Sequence, residues 1–539
     1  MKKNLLLSTM LSLVLALPAW AEKHPVTGEE LAANQAYTYW LLDSIKTLDP
    51  QLISSVEDAD TARGIFEGLY NEDGDGNLVP AGALSYDLSD DKMTYTFHLR
   101  PESKWSNGDP VTAADYVYGW QRVADPATAS EYAWYIELAQ VVNATEITAG
   151  TKPVTDLGVK AIDDLTFEVK IIAPLPYFPK MVTNTVMFPA PRATIEKFGV
   201  DWTKPENIVT NGAYLLSEVV PGEKYVEVKS DSYWDAANTI MSPVTGVVIN
   251  DENAALTRYQ AGELDRSTVP SGQYPRLKAE FPDEATSTPY SCSYGYFINL
   301  AEGKGNPALH DVRVRQALYL AIDRDIIVNN VLQAGQVPAY SWTHWAMNGF
   351  KMPVIEEASW TQEARDTKAR ELLAEAGFGP DNPLKFTLNY NTSEGHAKIA
   401  AAIQQMYLQK LGVEMTPQNF EWAVHTDKLQ SGDYEMARYA WCADYNEAST
   451  FLDLLASYSG NNNAKFSNAE YDKLLKDAKT MEDPNPNYTR AEEILVEEVP
   501  LIPIYHYAKV DMIRPDIKGL PMHNVQQTWY AKNLSRIAK

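Results

Sequence analysis

What this sequence lacks narrows its function first. Beyond residue 21 no segment approaches the roughly 20 consecutive apolar residues that a membrane-spanning helix needs, so no permanent anchor is expected. The histidines, at 24, 98, 310, 344, 396, 425, 506 and 523, include no pair at the i, i+4 spacing of a helical zinc site and no HExxH. No metal and no cofactor is expected. There is no G-x-S-x-G elbow, no phosphate loop ending in Gly-Lys-Ser/Thr and no dinucleotide fingerprint. Positive charge is also short: 46 basic against 72 acidic side chains, a formal net charge of −26, makes a surface that repels nucleic acid and anionic lipid. Low-complexity linkers and obvious repeats are missing. The chain reads as a binding protein rather than an enzyme, with a secreted peptidase as the competing class. A peptidase would cleave what a binder returns intact.

What is present begins with an export signal. Lys2 and Lys3 precede the apolar run from Leu5 to Leu17, and Ala19 and Ala21 place small residues where a signal peptidase reads, so cleavage is expected near Ala21/Glu22. No Cys follows Ala21 to carry a lipid, which predicts a free periplasmic protein. The two cysteines, Cys292 and Cys442, then meet an oxidising compartment that favours a disulfide. On the chain-entropy model such a bridge contributes about 4 to 5 kcal/mol.

Without the signal about 518 residues remain, enough for several domains. With 45% apolar and 11% aromatic residues there is ample core material. Alternation at Met93, Tyr95, Phe97 and Leu99, and at Phe167, Val169 and Ile171, predicts half-buried strands. Helical spacing runs from Val314 to Val331, from Thr367 to Ala376 with Gly377 as the stop, and from His396 to Leu411 with Gly412 as the stop. Strand signals at Phe386, Leu388 and Tyr390 before that last helix, and at Val413 and Met415 after it, predict a βαβ unit. The C-terminal half therefore reads as α/β, and residues 67 to 190 as richer in antiparallel strands.

Three segments stand out: Phe97-His-Leu-Arg100 with Lys104-Trp105-Ser-Asn-Gly-Asp-Pro-Val-Thr-Ala113 and Asp115-Tyr116-Val-Tyr118; Val209-Thr-Asn-Gly-Ala-Tyr214; and Asp311-Val-Arg-Val-Arg-Gln-Ala317 with Ile322-Asp-Arg-Asp-Ile326. Together they resemble the extracellular solute-binding proteins of peptide and nickel ABC transporters. Within that family, Ala437 to Glu447, containing Trp441-Cys442-Ala-Asp444-Tyr445-Asn446, is similar to the oligopeptide-binding branch, as is Tyr290-Ser-Cys292. The resemblance implies an α/β fold of the periplasmic-binding-protein type, in which two lobes close over the ligand and a third domain is added (cluster C). It divides the chain into lobe I (22–66, 190–291, 509–539), lobe II (67–189) and lobe III (292–508). The partners it implies are short peptides and an inner-membrane ABC permease with ATPase subunits, the binder itself being a monomer.

The same resemblance assigns a site. Asp444 receives the peptide ammonium; Arg438 and His396 supply cations for the carboxylate; Val56, Ala440 and Cys442 pair with the peptide backbone as strands do; and Tyr132, Trp422, Trp441 and Tyr507 are pocket walls. Two positions where broad-specificity members carry cations are Leu332 and Leu429 here, and an acidic position is Ser54. Loss of those cations implies that very short peptides bind poorly and that tetrapeptides or longer are preferred, unless Lys304 or Lys428 moves into the vacated space. Murein or other modified peptides are the alternative ligands on this fold. Nickel, haem and glutathione fit less well with Asp444 in its full motif.

Overall fold

The computed structural model describes residues 22–481 and 483–539, so the expected export signal lies outside the described residues. The N-terminal half contains β1 (Tyr37–Leu41), α1 (Val56–Ile65), β2 (Ala83–Leu88), β3 (Thr94–Leu99), β4 (Val159–Asp163), β5 (Thr166–Lys170), β6 (Tyr214–Val220), β7 (Lys224–Lys229), β8 (Val244–Val248), α2 (Glu252–Gln260) and β9 (Arg266–Thr268). The C-terminal half adds β10 (Ala285–Ile298), α3 (Val312–Ala321), β11 (Lys385–Asn391), α4 (Glu394–Leu411), β12 (Glu414–Phe420), α5 (Trp422–Ser431), β13 (Met436–Cys442) and β14 (Leu501–Ile513).

β2 to β5 form a separate antiparallel sheet of order β2-β3-β5-β4 within residues 83–170. Its alternation does what the sequence predicts: Tyr95, Phe97 and Leu99 of β3 point inward and the residues between them are half-buried. Phe97 stacks on Phe167, which meets Trp120 edge-on.

The other strands named above lie in one mixed sheet of order β12-β11-β13-β10-β14-β9-β1-β8-β7-β6, with a two-residue strand, Val337–Pro338, also paired to β14. The predicted βαβ unit is there: β11 and β12 pair in parallel across α4, whose start is capped by Ser393 and whose end turns at Gly412 with φ +67°. Helix Gln362–Glu375 starts earlier than its apolar spacing suggests because Thr361 caps it.

The helix expected from Val314 to Val331 is corrected by the structure. α3 ends at Ala321, and Asp323 starts a new helical turn by accepting the Ile326 amide. The break keeps the apolar period, so hydrophobic spacing alone does not reveal it.

β10 and β14 are long strands that connect the two ends of the large sheet. Both expected lobe boundaries, 291/292 and 508/509, fall inside them. Their pairing runs from Ala285–Met512 to Pro289–Ala508, slips, and resumes at Ser293–His506. Among the described residues no helix is long and apolar enough to cross a membrane.

Candidate functional site

One cavity of about 360 Å³ is lined by the large sheet, by α1, α4 and α5, and by loops around residues 131, 184 and 527. All eleven residues assigned above line it: Ser54, Val56, Tyr132, His396, Trp422, Arg438, Ala440, Trp441, Cys442, Asp444 and Tyr507. Leu429 lines it too. Leu332 does not; it is buried in the core beside α3 and α4.

β13 supplies the wall that matters most. On one side it pairs with β10 over its whole length, Met436–Ile298 to Cys442–Cys292. On the other, β11 pairs with it at Met436 and Ala437, a parallel register that also occupies the Arg438 amide, so the edge is open only beyond Arg438. The Ala443 amide donates to the Ser291 carbonyl, and antiparallel pairing alternates. The amides and carbonyls of Arg438, Ala440 and Cys442 therefore face away from β10; the Arg438 amide meets β11, which leaves those of Ala440 and Cys442 toward the cavity. His425 Nε2 already meets the Arg438 carbonyl at 3.0 Å. Cys292 and Cys442, directly opposite in the ladder, are joined by a disulfide with Cα atoms 3.9 Å apart.

Charged groups stand at the two ends of this edge. Asp444 Oδ1 accepts from Asn184 Nδ2 at 3.1 Å, while Oδ2 is buried without a partner. Burial pushes its carboxyl up to about 7, opposed by Arg63, Asn184 and Tyr132. Tyr132 and Tyr439 stack on the two sides of Trp441. Arg438 is 9% exposed. Its Nη1 donates to Asn391 and its Nη2 to Tyr507, its Nε is buried without a partner, and among the described residues no carboxylate lies within 4.0 Å of it. A buried guanidinium with no anion is costly to keep empty.

Several expectations are corrected by this geometry. Burial, then Arg438 and His425, hold the pKa of His396 well below its ordinary value, so in the empty cavity it offers hydrogen bonds rather than the charge expected of it. Val56 is not in a strand but opens α1, capped by Ser55; helix starts leave the first amides free, so it can still present a donor. Neither lysine fills the space at Leu429. Lys428 is bound to Asp433, and Lys304 Nζ donates to the Ser431 carbonyl at 2.6 Å. The missing acid at Ser54 is replaced in space: Ser54 Oγ donates to Glu131 at 2.6 Å, and Lys46 pairs with the same carboxylate at 2.7 Å.

Sequence reasoning missed Asp43, Lys46, Glu57, Arg63, Glu131, Asn184 and Lys509, all on the cavity wall. Lys509 alone left a trace, as a cation between Ala508 and Val510. The others converge only in three dimensions.

Residues 77–463 match the model of the bacterial extracellular solute-binding proteins, family 5. The chain is 41% identical over 538 residues to the periplasmic oligopeptide-binding protein OppA of Salmonella typhimurium, covering 99% of this chain and 98% of that one. Among solved structures it resembles Haemophilus influenzae OppA in complex with the peptide RPPGFSPFR, with 36% identity, TM-score 0.90, and coverage of 94% and 100%. The unliganded open form of the murein tripeptide-binding protein MppA gives 39% identity over 95% and 99% of the chains, but a TM-score of 0.69. In the arrangement of its parts the chain is thus nearer to a peptide-bound relative than to an open one.

Proposed function

The chain belongs to the bacterial extracellular solute-binding proteins of family 5, and we propose that it captures short peptides in the periplasm, closes over them and presents them to an inner-membrane ABC permease with its ATPase subunits. The observation that carries this reading is one open strand edge with an unpartnered carboxylate oxygen at Asp444 and an anion-free guanidinium at Arg438. A peptide running antiparallel to β13 puts its ammonium at Asp444, pairs its backbone with Ala440 and Cys442, and puts its carboxylate at Arg438. Tyr132, Trp422, Trp441 and Tyr507 leave side-chain room that water fills.

Length follows from spacing. Arg438 and Asp444 are six residues apart, the last two steps lying beyond the end of β13, so roughly 20 Å of extended chain is the upper limit of their separation. A tetrapeptide spans roughly 14 Å and two charge-assisted contacts add roughly 6 Å, which matches. A dipeptide is about 7 Å short, and no cation at Leu332 or Leu429 shortens the reach. The preference is therefore for tetrapeptides or longer. On this reading the lobes are those the family resemblance gives, and the slip between β10 and β14 is where they bend.

Incubating the protein with a library of di- to hexapeptides and weighing the retained fraction by mass spectrometry tests both parts. Intact tetrapeptides and longer ones are expected. Cleaved products would point to a peptidase, and retained dipeptides would remove the length rule. A second reading, binding of murein peptides, is favoured by the similarity to the murein tripeptide-binding protein. Ligands that co-purify from the periplasm decide it: isopeptide-linked or D-amino-acid peptides would replace ordinary ones.

A further inference from the structure

Asp43, in the turn after β1, and Glu57, in the first turn of α1, both line the cavity, and among the described residues neither has a Lys or Arg nitrogen within 4.0 Å. The cations that might have served them are committed elsewhere. Lys46 holds Glu131 at 2.7 Å, Arg63 holds Asp60 at 2.8 Å and Arg266 holds Asp511 at 2.7 Å, while Lys509 lies 5.2 Å from the Tyr290 ring centre. Asp43 has one weak donor, Asn250 Nδ2 at 3.5 Å.

An independent feature faces the same space. Arg438 is nine-tenths buried, its Nε has no partner, and it too lines the cavity. Opposite charges therefore stand near one another without touching, although direct contact would relieve each. Burial, then Glu57 and Glu421, push the Asp43 carboxyl up to about 7, opposed by Arg438. Glu57 is raised by burial and by Asp60, against its own amide, Lys509 and Arg438. His396 and His425, from α4 and α5, are held neutral and add no charge. What satisfies all three groups is a ligand end carrying both signs, an anion for Arg438 and a cation for the two carboxylates.

We propose that Asp43 and Glu57 form a subsite for a cationic side chain on the same residue whose carboxylate Arg438 receives, so that the preferred ligands are peptides ending in lysine or arginine. This rests on the peptide-binding reading above. It adds a side-chain preference at one position to a site that otherwise reads termini and backbone.

Calorimetry at about pH 7.5 with Ala-Ala-Ala-Lys and its uncharged counterpart ending in norleucine tests it. The lysine peptide is expected to bind about tenfold tighter or more, as for a desolvated charge pair. That preference is expected to fall to about twofold in a protein carrying both Asp43→Asn and Glu57→Gln, and moving lysine to an earlier position is expected to gain nothing. Equal binding of the two peptides by the unaltered protein would overturn the subsite, whatever the variant's folding, as would a preference that survives both substitutions. Binding of neither peptide would instead overturn the peptide-binding reading itself, and the subsite with it.

Discussion

The unpartnered oxygen of Asp444 sets the chemistry at the scale of single residues. Asp444→Asn leaves the Asn184 contact available but removes the charge a peptide ammonium needs. Tetrapeptide affinity is expected to fall by about 3 kcal/mol, on the order of a hundredfold, in a calorimetric titration, with the unfolding midpoint of the empty protein unchanged or raised. The pH dependence follows in sign. Because burial raises the folded carboxyl from 3.8 to about 7, the neutral form contributes stability in full below the unfolded value, and that contribution is lost as pH rises through about 7. A bound ammonium takes the proton's place. The rise in melting temperature on adding saturating tetrapeptide is therefore expected to be larger at about pH 7.5 than at about pH 5.5, and nearly level in Asp444→Asn; equal rises in the unaltered protein would remove Asp444 from the ammonium site. His344 acts at the other limb: burial lowers it to about 4, so its contribution is present above the unfolded value and lost as pH falls through about 4. None of these environments could be read from the sequence. Asp444 and Arg438 were legible only because their neighbours match a family segment, and the depressed pKa of His396 was not legible at all, because burial is a property of the fold.

Among the elements, β13 carries the account. Its alternation assigns opposite duties to adjacent residues: the Tyr439 amide belongs to the ladder with β10, whereas the Ala440 amide faces the cavity. Ala440→Pro deletes an outward donor, a place where a strand tolerates proline. It is expected to weaken tetrapeptide binding by about 1 to 3 kcal/mol while circular dichroism and melting stay close to those of the unaltered protein. Tyr439→Pro removes a ladder bond instead and is expected to yield little folded protein. If Ala440→Pro binds normally, peptides do not pair with this edge. The strands and the βαβ unit were legible because each segment is long enough to show its period: β3 through Tyr95, Phe97 and Leu99, and α4 through its spacing from His396 to Leu411 and its Gly412 stop. The interruption at Ile322–Asp323 was not, since the apolar spacing continues across it. The open edge was invisible too, because it depends on where β11 stops pairing and not on what β13 contains.

For the molecule as a whole, the cavity joins segments far apart in sequence. Glu131 meets Lys46 and Ser54, and Asn184 meets Asp444, so on the proposed reading closing the parts over a ligand and completing its site are the same event. The disulfide ties β10 to β13 and crosses no boundary between the expected lobes, which leaves such closure unhindered. The central claim is that both ends of a peptide are gripped at a fixed separation, and calorimetry of three ligands tests it most directly: a free tetrapeptide, the same peptide N-acetylated, and a dipeptide. The free tetrapeptide is expected to bind about a hundredfold tighter than the acetylated one and about tenfold or more tighter than the dipeptide. An acetylated tetrapeptide or a dipeptide that binds as tightly as the free tetrapeptide would contradict the account.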